Sequence, residues 1–361
     1  MPNRFTALAG CRYPIVQGPM GGGHSTPALV AAVSDAGGFG SLGVYQLAPP
    51  EIEAQIADVR RRTERPFGVN LWVPLATDTA SEANTADLRA ALALVQPYRD
   101  ELALPSLAEA PAARPQDFDA QVEAVLRAGP PAVSFTFGVP PDGFVREARR
   151  RGIVTIGTAT TVDEAEAVAA SSADAVCASG FEAGGHRGSF LRASEQSLMG
   201  TLALVPQVRD AVDLPVIAAG GIADGRGVAA VLALGADAAQ LGTAFLVCDE
   251  SGAGALHRAA LADRRRARIT TLTRAFSGRL ARVLENRFTR DLAAHQGELA
   301  PWPVQGALTR ELRAASEAAG RDELSGLFAG QSAALASARP AAALVEALVR
   351  DAEAVLRRTT L

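Results

Sequence analysis

A repeated alternation of short apolar runs with alanine-rich helical segments is the feature that most constrains the fold of this chain. Each run is rich in β-branched residues or bounded by glycine, and this alternation is typical of a parallel sheet built from βα units. Eight strands are predicted: Ile15–Gly18, Gly40–Gly43, Phe67–Leu71, Ala132–Phe137, Ile153–Gly157, Ala175–Ala178, Pro215–Ala219 and Ala238–Leu241. Eight such units predict an α/β fold, the closed (β/α)8 TIM barrel.

Helix start signals fit this division of the chain. Thr26 followed by Pro27 predicts a cap with a first-turn proline, and Thr161 with Glu164 predicts a capping box. Asp224 is expected to cap a further helix. These caps predict where the loops after the strands end.

Two segments interrupt the repeat. Residues 74–117, rich in alanine, proline and acidic side chains, predict an excursion over the barrel mouth between the third strand and its helix. Residues 246–335 predict a smaller helical domain. The barrel is then expected to span residues 1–245 and to be completed by residues 336–361, where an amphipathic stretch from Pro340 to Arg357 joins the outer ring of helices.

Composition excludes several classes of protein. The chain has 361 residues, 48% of them hydrophobic, and a net charge of −4, so it lacks the basic surface that nucleic acid requires. Its three cysteines are far apart and its four histidines are dispersed, which predicts neither disulfides nor a metal site. Without an export signal or an apolar run of about 20 residues, we expect a cytoplasmic protein that does not enter membranes and that acts on a small molecule.

The loops after the strands are where barrel enzymes carry their chemistry. His186 lies in the glycine-rich stretch Gly180–Gly188, directly after a predicted strand. Imidazole titrates near neutrality and glycines allow close approach to a ligand, so this pattern predicts a base held over a flat ligand. The alternative is a solvent-exposed loop histidine.

Glycines also follow the first predicted strand, in the segment Gln17–His24. Their main-chain N–H groups can meet a planar ring, although a plain tight turn has the same sequence pattern. Asn70 places a side-chain amide at the end of the third strand.

The seventh and eighth strands end in Ala219–Ile222 and Gln240–Thr243, the two positions where this fold commonly builds a phosphate cradle. We expect a phosphate between Gly220, Gly221 and the turn formed by Gln240, Leu241, Gly242 and Thr243. Main-chain donors and a helix dipole would supply the positive potential. Tight βα turns are the alternative for either loop.

Together these motifs resemble the flavin-dependent nitronate monooxygenase family, formerly called 2-nitropropane dioxygenases. The segments that carry the resemblance are Pro14–Met20, Ser25–Pro27, Ala36–Gly43, Pro66–Asn70, Glu182–Gly188, Ala218–Ile222, Gln240–Thr243 and Phe276–Arg279. The resemblance implies a (β/α)8 barrel with a smaller helical domain, non-covalent FMN, and oxidation of alkyl nitronates by molecular oxygen.

The resemblance also implies roles for single residues. His186 matches the catalytic histidine, which abstracts the proton next to a nitro group or orients an ionised nitronate. The flavin ring is expected against Pro19, Met20 and Gly21. The other implied cofactor contacts are Asn70, Ser179, Gly184, Gly220, Gly221, Gln240, Leu241, Gly242 and Thr243.

The chain departs from the family at positions near the substrate. Ser179 stands where relatives usually have glutamine, so one flavin contact of the family is expected to be lost. Thr136 stands where many relatives have a second histidine, so a second imidazole is expected to be missing from the substrate site. His24 is a candidate to replace that histidine in part, with a surface position as the alternative. Phe137 is a candidate wall of the substrate pocket. Arg279 is expected to pair with an acidic residue across the domain interface or to hold an anionic substrate.

Two other functions remain open. Relatives of this barrel include NAD(P)H-dependent FMN reductases of quinones or enoyl thioesters, and the lack of a separate Rossmann unit with its Gly-x-Gly-x-x-Gly fingerprint does not exclude such a flavoenzyme. A non-catalytic barrel that binds a phospholigand is the third reading. A homodimer is possible for any of them.

Overall fold

The computed structural model describes residues 3–75, 85–113 and 115–358. Its strands are β1 Ile15–Gln17, β2 Gly40–Gly43, β3 Phe67–Trp72, β4 Ala132–Thr136, β5 Val154–Ala159, β6 Ala175–Ser179, β7 Gly185–His186, β8 Val216–Ala219, β9 Ala238–Leu241, β10 Thr270–Thr273 and β11 Ala281–Leu284. The order β1-β9-β8-β6-β5-β4-β3-β2 forms one parallel sheet. Hydrogen bonds from Phe39 N to Ile15 O (2.8 Å) and from Gln17 N to Phe39 O (2.9 Å) join its two ends. The predicted TIM barrel is confirmed.

Helices surround this barrel. Further helices belong to a second unit within residues 246–335. Their bounds are α1 Arg4–Ala9, α2 Pro27–Asp35, α3 Pro49–Arg62, α4 Thr85–Glu101, α5 Phe118–Ala128, α6 Asp142–Arg150, α7 Val162–Ala170, α8 Thr201–Ala211, α9 Gly225–Ala233, α10 Thr243–Leu246, α11 Ala255–Ala262, α12 Arg287–Asp291, α13 Val304–Ala318 and α14 Ala341–Arg358. As expected for the final amphipathic stretch, α14 packs against α9 and α2. Within the described ranges, none of these helices combines the length and apolar character that a bilayer crossing requires.

Burial on both faces explains why the barrel strands read as continuous apolar runs. Inside the barrel, Val16, Ala175, Cys177 and Ala219 belong to one buried cluster. Larger clusters fill the layer between the strands and the outer helices. Because all eight strands run in the same direction, their carboxyl ends and the loops that follow meet on one face.

Two of the three predicted caps form as expected. The side chain of Thr26 accepts the N–H of Leu29 at 3.0 Å, and Asp224 caps α9. The capping box at α7 was wrong in part: Thr161 accepts the N–H of Glu164, but the carboxylate of Glu164 does not reach back to Thr161. It accepts hydrogen bonds from Thr160 and from the N–H groups of Phe190 and Leu191. Glu164 therefore anchors the loop that follows His186.

The second unit is not purely helical, which corrects the expectation for residues 246–335. It contains the antiparallel sheet β10-β11-β7, in which β11 pairs with the barrel-loop strand β7. Strands of only four residues, one of them carrying Arg282, give too weak a period-two signal to be recognised in the sequence. The excursion between β3 and α5 also joins this unit, because α4 packs against α13. Residues 76–84 and 114 of the excursion lie outside the described residues.

Candidate active site

A cavity of about 850 Å³ lies at the carboxyl ends of the barrel strands. The structure brings most of the residues proposed from the sequence into its walls. These are Pro19, Met20, Gly21, His24, Asn70, Thr136, Ser179, Gly184, His186, Gly220, Gly221, Gln240, Gly242 and Thr243. Leu241, Phe137 and Arg279 are buried next to the cavity and do not line it.

The first glycine loop is held in place by one hydroxyl. Oγ of Ser25 accepts hydrogen bonds from the N–H of Met20 and from Nε2 of Gln17, both at 2.9 Å. A side chain at Gly21 would run into the ring of Tyr45, so glycine is required there. The absence of a side chain at Gly21 therefore makes room for Tyr45, and both residues line the cavity.

Three main-chain amides of the loops after β8 and β9 face the cavity without an acceptor among the described residues. Gly221, Ile222 and Gly242 line it, and no described residue accepts their N–H groups. The left-handed φ of Gly221, +70°, is favourable only for glycine. The helix dipole invoked from the sequence contributes less than expected, because the carboxylate of Asp224 already caps α9.

A segment from the second unit covers these two loops. The N–H of Gly330 donates to Oγ1 of Thr243 at 2.9 Å, and Oγ of Ser332 donates to the carbonyl of Gly221 at 2.5 Å. A Cβ on Gly184 would lie 2.6 Å from the backbone of Ala329. Both Gly330 and Ser332 line the cavity, and the sequence analysis missed them because they belong to no recognisable motif.

His186 is positioned by the second unit rather than by the barrel alone. As part of β7 it pairs with Ala281 of β11, and its Nε2 lies 2.8 Å from Oγ of Ser277. The same hydroxyl donates to the carbonyl of Arg279 at 3.2 Å. We therefore assign the proton to Nε2, which leaves the lone pair on Nδ1. Ser277 was not predicted as a site residue, although Arg279 of the same segment was.

Burial, followed by the positive charges of Arg279 and Arg313, lowers the pKa of His186 to about 3. The imidazole is consequently neutral at physiological pH. The side chain is only partly enclosed, since it faces the cavity. A neutral imidazole keeps a lone pair on Nδ1, and a negative charge that develops on a ligand beside it would raise the pKa of His186 again, which favours proton transfer to this nitrogen.

Aromatic rings surround the histidine. The centroid of the Trp72 ring lies 5.0 Å from the centroid of the His186 ring. Trp72 also stacks on Tyr45, with 3.4 Å between the ring centroids. Trp302 lies 6.2 Å from His186. Cζ of Arg279 lies 4.1 Å from the ring centroid of Phe137 and 4.8 Å from that of Trp302. Phe137 and Arg279 thus support the wall from behind.

Asn70 and Thr136 form one hydrogen-bonded group. Nδ2 of Asn70 donates to Oγ of Ser134 at 2.9 Å and to Oγ1 of Thr136 at 3.3 Å. The amide is thereby oriented, and its Oδ1 accepts no hydrogen bond from a described residue. Asn70 offers a fixed acceptor to a ligand.

His24 lines the cavity, but its ring neighbour is His257, at 5.7 Å, and not His186. Its Nδ1 donates to the carbonyl of Gly21 at 2.7 Å. The structure therefore gives no support to His24 as a replacement for the histidine that relatives have at Thr136.

Arg187, next to His186, is a further residue that the sequence analysis passed over. It is buried, and its guanidinium donates to the carbonyls of Ser197, Thr160 and Ser179. It fixes the histidine loop. Among the residues that the structure describes, no group of three potential ligands could hold a metal ion.

The closed barrel, with its cavity at the carboxyl ends of the strands, places the protein in the class of TIM-barrel enzymes. The family model for nitronate monooxygenase matches residues 3–351, and the chain belongs to this family. It is 39% identical over 360 residues to a probable nitronate monooxygenase of Staphylococcus aureus, covering 98% of both chains.

Solved structures agree with this assignment. A nitroalkane oxidase from Streptomyces ansochromogenes is 42% identical, with a TM-score of 0.90 and coverage of 99% of this chain and 100% of the other. FabK from Thermotoga maritima is 29% identical, with a TM-score of 0.76 and coverage of 99% and 98%. The protein is therefore an oxidoreductase, and these relatives support nitronate oxidation in general.

Proposed function

We propose that this protein uses FMN to oxidise alkyl nitronates, or a closely related stabilised carbanion, with molecular oxygen. The observation that carries the proposal is a single cavity that combines a neutral, hydrogen-bonded His186 with unpaired main-chain donors. His186 is suited to a carbon acid or its anion. The main-chain donors are suited to the phosphate of a cofactor.

The residues present fit FMN. The amides of Gly221, Ile222 and Gly242 would hold the phosphate, as main-chain donors do in other phosphate sites. Pro19, Met20 and Gly21 line the cavity, where their backbone would lie against the flat ring, and Oδ1 of Asn70 is an acceptor for a ring or ribityl donor. We do not include Leu241 among the residues that would contact FMN, because its side chain lies in the core and its carbonyl accepts the N–H of Gly18. Bound FMN supplies the redox chemistry.

His186 acts at the carbon next to the nitro group. Its Nδ1 accepts the proton of a neutral nitroalkane, while Ser277 and the carbonyl of Arg279 keep the other proton on Nε2. A nitronate needs no proton removal, and His186 then only orients it. Trp72 and Tyr45 form an aromatic wall on this side of the site.

A second candidate is an NAD(P)H-dependent FMN reductase of quinones or enoyl thioesters. The similarity to FabK over nearly the whole chain is the observation that favours keeping it. The non-catalytic binding protein loses its support, because the chain belongs to a family of enzymes.

Oxygen uptake tests the proposal. With ethyl nitronate as the only reductant, we expect steady oxygen consumption that saturates with nitronate concentration and is absent with NADH or NADPH. Oxygen consumption, or quinone reduction, that requires a nicotinamide would favour the reductase instead.

A further inference from the structure

Arg313, on helix α13 of the second unit, is a cation that the sequence analysis did not single out. Its side chain lines the same cavity as His186 and Tyr45. Its charge contributes to the low pKa of His186 and acts also on Tyr45, so the guanidinium lies near both groups. Arg313 thus faces the part of the cavity where the substrate is expected.

The guanidinium of Arg313 is incompletely paired. Its Nε is buried and no described residue accepts a hydrogen bond from it. Glu317, one turn further along α13, lines the cavity but is exposed, and no ion pair joins it to Arg313 among the described residues. Leaving a buried charged donor without an acceptor costs free energy, which a bound ligand with an acceptor would recover.

Arg187 and Arg279 differ from Arg313, because contacts within the protein occupy their guanidinium groups. Arg187 is surrounded by backbone carbonyls that accept its N–H groups. Arg279 lies against the rings of Phe137 and Trp302 and does not line the cavity. Of these three cations only Arg313 presents a donor without an acceptor at the cavity wall.

We propose that Arg313 is a specificity-determining residue that binds the negatively charged oxygens of the substrate, so that the site selects an ionised nitronate over the neutral nitroalkane. A neutral His186 cannot supply this charge itself. The identity of the substrate rests on the proposed function, whereas anion binding by Arg313 can be tested without turnover.

Nitrate is a suitable probe, because it is planar, singly charged and unreactive. The chain has two tryptophans, Trp72 and Trp302, and both lie within 6.2 Å of His186, so tryptophan emission reports on this site. We expect nitrate to change the emission of the purified protein saturably. In Arg313→Gln the nitrate affinity should fall on the order of 10- to 100-fold, the range of a lost charge-assisted hydrogen bond.

Arg310→Gln is the matched control, since Arg310 is an exposed arginine on the same helix. It removes the same charge from α13 and should leave nitrate binding unchanged. Arg313→Lys should recover part of the affinity, because it keeps the charge but not the planar donor geometry. Equal loss in Arg310→Gln and Arg313→Gln would overturn the proposal, since it would indicate a general charge effect.

Kinetics give the second readout. Arg313→Gln should raise the KM for ethyl nitronate about 10-fold or more and change that for nitroethane by less than about 3-fold, with little effect on kcat. Unchanged nitrate affinity and an unchanged ratio of the two KM values would refute the role of Arg313. Arg313-dependent nitrate binding in a protein that does not oxidise nitronates would instead refute only the proposed function.

Discussion

Substitution of Gly242 tests the phosphate cradle with little disturbance of the fold. Gly242 has φ −104° and ψ −69°, a conformation open to other residues, and no heavy atom lies within 4 Å of a Cβ built on it. Gly221 is a poorer choice because of its left-handed backbone. Gly242→Asp places a carboxylate beside the proposed phosphate, and Gly242→Asn places an uncharged side chain of the same shape there.

The expected rise in the FMN dissociation constant follows from repulsion between the added carboxylate and the phosphate. Two unit charges about 5 Å apart interact by about 3 kcal/mol at an effective dielectric constant near 20. Screening by salt and by the solvent at the mouth of the cavity reduces this interaction energy, so roughly 1.5–3 kcal/mol remains. That corresponds to an FMN dissociation constant about 10- to 150-fold higher for Gly242→Asp than for Gly242→Asn.

Titration of the cofactor-free variants with FMN, followed by quenching of flavin fluorescence, measures this ratio. The difference should shrink as salt is added, because it is electrostatic. Equal FMN affinity of the aspartate and asparagine variants would refute the placement of the phosphate at Gly242, whatever their affinity relative to the parent protein.

Three further predictions concern the histidines and Ser277. His186→Asn should keep FMN and lower kcat/KM for neutral nitroethane about 100-fold or more, while turnover of ethyl nitronate falls much less; equal losses on both substrates, measured by oxygen uptake, would remove the base role. Ser277→Ala should lower kcat for nitroethane about 10-fold, because Nε2 of His186 loses its partner, and Ser277→Thr should restore part of it; unchanged kcat in Ser277→Ala would contradict the assigned orientation. Because burial lowers the pKa of His257 to about 4, the unfolded chain binds more protons there between pH 6.5 and 4, so stability falls as the pH falls through this window. His257→Gln should remove up to about 3 kcal/mol of that loss, measured by urea unfolding at pH 7 and pH 4.5; identical pH dependence in both proteins would show that another group is responsible.

Much of the barrel was predictable because its signal is local. Each strand is a short apolar run at a fixed place in a βα unit, and Gly40–Gly43 and Ala238–Leu241 were predicted with their observed bounds. The glycine loops were predictable for the same reason, since Gly221 and Gly242 follow directly on strands. The capping box failed because the carboxylate of Glu164 is used by a loop more than 20 residues away in the sequence.

The parts of the site that were missed depend on contacts between distant segments. Ser277 meets His186 across 91 residues, through a strand pairing that neither segment indicates by itself. Arg313 lies in an ordinary amphipathic helix, where an arginine reads as a solvated side chain. The cytoplasmic location and the homodimer remain predictions.

The absorption spectrum of the purified protein, recorded without oxygen, tests the central claim most directly. We predict a yellow protein whose flavin absorption is bleached by ethyl nitronate, is unaffected by NADH or NADPH, and returns when oxygen is admitted. A colourless protein that cannot be reconstituted with FMN, or a flavin that only a nicotinamide bleaches, would contradict the account.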